Sequence, residues 1–197
     1  MSTKVKIAGA PISWGVCEVP NWGHQMSPER VLKEMSDLGL GATEFGPLGF
    51  LPIEPADRAK VLAEHGMEAV GGFFPIIMHQ EAFDPLPDTL KELESYTASG
   101  AKTLVLSAET GLEGYDTKRP DLDSHGWNVF FKNLERIKEA AAALGVTAVL
   151  HPHVGTMVET EADVKKVLDG STIKFCLDTG HMIIGGTDPV KFAEDHA

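Results

Sequence analysis

The chain has 197 residues, enough for one continuous core and too few for two large domains, so residues 1–197 are expected to form a single domain. Hydrophobic residues make up 43% and charged residues 23%, with 20 Gly and 12 Pro, which excludes a collagenous, coiled-coil or disordered chain. The 17 Lys and Arg against 29 Asp and Glu leave a formal charge of −12, which argues against nonspecific nucleic-acid or anionic-membrane binding.

Taken in order, Met1-Ser-Thr-Lys-Val-Lys runs straight into a strand-like segment over Val5–Trp14, with no signal-peptide core. No run approaches the roughly eighteen apolar residues of a membrane span. Cys17 and Cys176 form no CxxC and read as free thiols in a reducing compartment, so a cytoplasmic location is expected. Ser27-Pro28 is a cap followed by proline at the first helical position, and Val31, Leu32, Met35 and Leu38 fall on one face of the helix that Gly39 stops. Further strand-like runs follow at Ala42–Pro47, Glu68–Ile77, Thr103–Glu109, Thr147–His153 and Lys174–His181. Trp127, Phe130, Phe131, Leu134, Ile137, Ala141 and Leu144 mark a long helix closed by Gly145, Thr160 starts another, and Asp188–Ala197 has helical character.

Strands alternating with helices imply a parallel sheet covered by helices. Neither GxGxxG after the first strand nor a Walker sequence occurs, so the common nucleotide-binding versions of an open sheet have no support. Polar residues instead recur at strand ends: Ser13 and Trp14, Glu44, Ser107 and Glu109, His151 and His153, then Asp178 and His181. That pattern predicts a (β/α)8 barrel, whose active site is collected from the carboxyl ends of its strands. Such a barrel takes about 250 residues, or about 31 per unit. The chain is therefore expected to carry about the first six βα units of a partial barrel.

The densest constellation is His151-Pro152-His153, Glu159 six residues on, and Leu177-Asp178-Thr179-Gly180-His181. Adjacent parallel strands lie about 4.8 Å apart, so side chains leaving neighbouring ends can converge on one ion. Mixed imidazole and carboxylate donors suit Mn2+, Co2+, Fe2+ or Zn2+ better than Ca2+. The blander reading makes Asp178 a helix cap and leaves the histidines bonded to loop carbonyls. Trp14 and Trp22 flank a glycine-containing loop and are candidates for an apolar wall against a sugar ring, or for packing residues at the barrel mouth. Glu44 and Glu109, each ending a strand, are candidates for binding a hydroxyl, with Glu44 also a candidate base.

Ala10-Pro11-Ile12-Ser13-Trp14-Gly15-Val16 with Pro20-Asn21-Trp22-Gly23, His151-Pro152-His153-Val154-Gly155-Thr156 and Leu177-Asp178-Thr179-Gly180-His181 together resemble the inosose (2-keto-myo-inositol) dehydratase family. That family is a branch of the xylose-isomerase-like TIM barrels, the sugar phosphate isomerase/epimerase superfamily. The resemblance implies one divalent ion, Mn2+ or Co2+ first, with Zn2+, Fe2+ or Mg2+ as further candidates. It implies that Asp178 is the ligand ending strand six, that His181 contacts substrate or supports the site, and that a residue ending strand five is also a ligand. Where the family commonly has Glu for that last ligand, this sequence has His151 and His153, with Glu159 beyond. Two further ligands belong to strands seven and eight of the family.

The resemblance implies a metal-dependent lyase that removes water from a cyclic keto-polyol. The ion acts as Lewis acid, Asp178 with His151 or His153 forms the metal side, and Glu159, His181 or Glu44 exchanges protons. An isomerase or epimerase of a ketose uses the same enolate and is the alternative. A third possibility is an incomplete barrel without turnover that self-associates through exposed sheet edges. The expected partner is a small polyol or sugar, not a nucleic acid or a membrane.

Overall fold

The structure, a computed structural model, describes residues 6–17, 19, 21–112 and 118–196. Strands β1 (Ala42–Glu44), β2 (Glu68–Ile76), β3 (Thr103–Ala108), β4 (Thr147–Leu150) and β5 (Lys174–Phe175) form one sheet in the order β1-β2-β3-β4-β5. The helices are α1 (Pro28–Asp37), α2 (Pro55–Glu64), α3 (Leu86–Ser99), α4 (Ser124–Ala143), α5 (Glu161–Gly170), α6 (Thr179–Ile184) and α7 (Pro189–His196). Pairing of β1 with β2 and of β4 with β5 is parallel. Strand order thus follows chain order with helices between, the connectivity of repeated βα units. Among the described residues no helix is long and apolar enough to cross a membrane.

The chain divides into two compact units, Met1–Phe73 with Lys91–Thr103, and Phe74–Leu90 with Leu104–Ala197. In the first, Val31, Leu32 and Met35 bury the inner face of α1 completely, while Leu38 lies past the helix end and is 73% exposed. The register therefore serves three of the four positions expected on that face, because the helix stops at Asp37. Phe45 and Tyr96 pack edge to face at 5.2 Å, and the Tyr96 hydroxyl donates to the Gly72 carbonyl at 3.0 Å. Arg58, buried and 5.0 Å above the Phe45 ring, donates to the Pro52 carbonyl and pairs with Glu92.

The strand expected over Val5–Trp14 is much shorter than its apolar pattern suggests. Val5 lies outside the described residues. Gly9 forms an isolated parallel bridge to Thr43, and Pro11–Trp14 is a 3-10 turn closed by Gly15. Pro11 has no N–H to give a ladder and a φ fixed near the helical value, so the extended segment ends there.

In the second unit α4 buries Trp127, Phe130, Leu134, Ile137 and Ala141, with Trp127 and Phe130 edge to face at 5.3 Å. Asn133, buried on the same helix, donates to the Met78 carbonyl at 2.9 Å and ties α4 to the segment after β2. Every residue of β3 from Leu104 to Ala108 is buried, as expected of a strand covered on both faces.

Candidate metal centre

The candidate centre lies in the second unit, where β4 gives way to the 151–159 segment and β5 to α6. The His151 amide donates to the Leu106 carbonyl at 2.8 Å, so it continues the β4 ladder by one residue. The chain then turns: His153 N donates to Val158 O at 3.0 Å, and the Thr156 hydroxyl to His153 O at 2.8 Å. The Met157 amide meets Ala108 O at 2.7 Å. Thr160 caps α5 in a reciprocal box, its side chain accepting from Asp163 N while the Asp163 carboxylate accepts from Thr160 N at 2.8 Å. Arg119 binds the outside of this turn, pairing with Asp163 at 2.7 Å and donating to the Thr156 and Met157 carbonyls. A loop held at so many points has little freedom to move the side chains it carries.

Those side chains meet in a group of three imidazoles. One ligating nitrogen from each of His151, His153 and His181 lies within 4.8 Å of the others, and the rings of His153 and His181 are 3.8 Å apart. His153 Nδ1 lies 2.8 Å from the Val154 carbonyl, an acceptor only, so this nitrogen is the donor. The Val154 amide donates to His181 Nδ1 at 3.4 Å. Burial, reinforced by the neighbouring His153 and His181 and opposed by Asp178, pushes the His151 pKa down to about 4. Burial and His153 likewise lower that of His181, against the pull of Asp178 and Glu159. The lowered values of His151 and His181 favour the neutral ring, the form in which imidazole binds metal.

Two carboxylates stand beside the group. Asp178 is the N-cap of α6 and accepts from the His181 amide at 2.8 Å. Burial alone raises its pKa, but the His181 amide bond and the nearby His181 and His151 rings outweigh that and hold the carboxyl below its usual range. Glu159 accepts from the Gly155 amide at 3.1 Å. The structure therefore gives Asp178 the capping role and places His181 among the imidazoles.

Glu109 follows β3 and lines a cavity of about 350 Å³ with Pro75, Ile76, Ile77, Phe83, Asp88 and Gly111. The other sequence candidates belong to the first unit. Trp14 is half-buried and donates to the Glu34 carboxylate at 2.9 Å, whereas Trp22 is 67% exposed. Burial raises the Glu44 pKa. Arg119 was not a sequence candidate: its partners lie 37 and 38 residues away and no motif announces them.

Sequential βα units with imidazoles and carboxylates at the carboxyl ends of β4 and β5 define a barrel-type fold with a candidate divalent-metal centre. Residues 32–196 match the model of the Xylose isomerase-like TIM barrel family, and the chain belongs to that family. It is 31% identical to the rhizopine catabolism protein MocC of Rhizobium meliloti over 98% of this chain and 61% of that protein. It is also 31% identical to the inosose dehydratase of Geobacillus kaustophilus (strain HTA426), over 98% of this chain and 66% of that enzyme. The chain thus spans slightly less than two thirds of these relatives. Among solved structures, the IOLI protein with a binding zinc atom superposes with a TM-score of 0.71 at 13% identity, over 93% of this chain and 66% of that one.

Proposed function

We propose that the protein is a divalent-metal-dependent hydro-lyase that removes water from a cyclic keto-polyol of the inosose type, and that it acts in the cytoplasm. The observation that carries this reading is the group of three imidazoles, with the pKa of His151 and His181 lowered and with Asp178 and Glu159 beside it. The relationship to an inosose dehydratase at 31% identity supports the substrate class, and the two free cysteines fit a reducing compartment.

The donor set fits an ion of the Mn2+, Co2+, Zn2+ or Fe2+ type, since imidazole nitrogen suits those metals and a mixed set with carboxylate is common to them. His151, His153 and His181 would hold it, with Asp178 as the adjoining negative charge; Mn2+ and Co2+ are the first candidates. A bound ion would supply Lewis acidity at the substrate ketone, which would make the neighbouring C–H acidic. Glu159, whose carboxylate is positioned by the Gly155 amide, takes the proton α to the ketone. The same group, once protonated, returns it to the hydroxyl on the β carbon, which leaves as water. The hydroxyl remaining on the α carbon makes the first product an enol, which becomes the diketone. The fixed loop around His153 and Thr156 keeps these groups in register with the ring.

The test is incubation of the metal-loaded protein with 2-keto-myo-inositol, followed by ultraviolet absorbance and mass spectrometry. Formation of a diketone one water lighter, abolished by a chelator and slowed at least 100-fold by Glu159→Gln, is the expected result. Exchange of the α hydrogen for deuterium without loss of water replaces this reading with that of an epimerase, and failure to bind a divalent ion removes both.

A further inference from the structure

Ser107 is a buried polar residue that the proposed chemistry leaves unused. Its side chain is fully enclosed, and its Oγ has no hydrogen-bond partner among the described residues. A protein rarely retains such a hydroxyl in a strand that would pack as well with alanine. The sheet register shows what it faces. His151 donates its amide to the Leu106 carbonyl, and in a parallel ladder that bond sets His151 directly opposite the next residue, Ser107. Opposed residues point to the same face of a sheet from backbones about 4.8 Å apart. Ser107 is therefore the lateral neighbour of the most enclosed imidazole of the group. His79 Nδ1 and Thr187 Oγ1 are also buried without a partner among the described residues, but both lie outside the strands that flank the group.

We infer that Ser107 is a positioning residue of the metal-loaded protein: once an ion is bound, its hydroxyl would accept the ring N–H of His151, fixing the tautomer and turning the other ring nitrogen towards the ion. A ligating histidine is ordinarily oriented in this way by an oxygen acceptor on its second nitrogen, and loss of such a partner costs about 10–100-fold in metal affinity. The inference rests on the metal-site reading above.

The experiment compares wild type with Ser107→Ala in three measurements: thermal melting of the metal-free protein, Co2+ affinity by competition with a chromophoric chelator, and the exchangeable imidazole N–H resonances of the Co2+ form. Because in the metal-free protein this buried hydroxyl has no partner among the described residues, the metal-free alanine variant is expected to melt at or above the wild-type temperature. Its Co2+ affinity is expected to fall about 10-fold or more, and the slowly exchanging N–H resonance that His151→Gln also removes is expected to vanish. A Ser107→Ala variant that binds Co2+ within two-fold of wild type and keeps that resonance overturns the inference and leaves the metal site standing. Wild-type protein that binds no Co2+ overturns the metal reading and this inference with it.

Discussion

Two consecutive glycines after α6 test whether the metal group depends on the close approach of α6 to the loop that carries Glu159. Gly185 has φ −75 and ψ −2, a conformation open to any residue, but a Cβ built on it stands 2.0 Å from the Glu159 carbonyl oxygen. Real Cβ contacts essentially stop at 3.0 Å, so 3.0 − 2.0 leaves at least 1.0 Å to be found by moving backbone. Backbone is what must give, because Glu161 N also donates to Gly185 O at 2.9 Å. Gly186 is the opposite case: φ is +85, and a Cβ there meets nothing within 4 Å. Gly185→Ala should cost about 2–3 kcal/mol as forced overpacking. At about 2–4 °C per kcal/mol for a chain of this size, melting falls by about 4–12 °C. Gly186→Ala should cost about 1–2 kcal/mol through the left-handed backbone alone. Stability separates them poorly, so the deciding assay is Co2+ affinity by chelator competition. Gly185→Ala shifts Glu159 against His181 and should bind at least 10-fold more weakly, while Gly186→Ala stays within two-fold of wild type. If Gly185→Ala binds as wild type does and melts no lower than Gly186→Ala, the loop is not seated on α6 as described.

Asp178→Asn keeps an equally good N-cap for α6 but removes the charge beside His151 and His181. Melting should change by no more than about 2 °C while Co2+ affinity drops at least 10-fold; unchanged affinity makes capping its whole role. Arg119→Met should destabilise by about 2–3 kcal/mol, read by denaturant midpoint, because Asp163 is left partly buried with its charge unmatched. The metal-free protein should lose stability on acidification from pH 7.5 to 5. His151, with its pKa lowered to about 4, stays neutral in the fold while the unfolded chain takes a proton near 6.5, a difference of about 2 kcal/mol by pH 5. Asp163 and Asp178, both held below their usual range, are charged in fold and unfolded chain alike until lower pH, and their contribution is lost as pH falls through their folded values. Melting curves at the two pH values check this, and a His151→Gln variant with the same pH slope as wild type contradicts it. Phe130→Ala, which empties a fully buried ring site in α4, should cost about 3–5 kcal/mol by the same melts.

What the sequence revealed depends on how local the cause is. The α4 stripe was legible at five of its seven positions: Trp127, Phe130, Leu134, Ile137 and Ala141 repeat at the helical period and are buried, whereas Phe131 is half-buried and Leu144, past the helix end, is 46% exposed. The α5 start was legible because Thr160 and Asp163 satisfy each other within one turn. The first strand was misjudged in length because an apolar run does not show that Pro11 has no amide to pair. The grip of Arg119 on Thr156, Met157 and Asp163, the Gly185 contact with Glu159 and the opposition of Ser107 to His151 are long-range, and no spacing rule encodes them. The same distinction explains why the grouping of these residues was legible while the role of each is not a matter of spacing. His151 and His153 alternate off one strand end and Asp178 and His181 belong to the next, so convergence follows from topology alone. Whether an aspartate at a helix start caps or ligates depends on where its carboxylate points, and a capped geometry does not exclude the second role. One Asp178 oxygen accepts the His181 amide, and a carboxylate has a second oxygen and further lone pairs. That cap also fixes the first turn of α6, and with it the backbone from which the His181 ring reaches the other two imidazoles. On the proposed reading, helix capping and the negative charge beside the ion are therefore one constraint at Asp178, and Asp178→Asn separates them because asparagine keeps the cap and discards the charge.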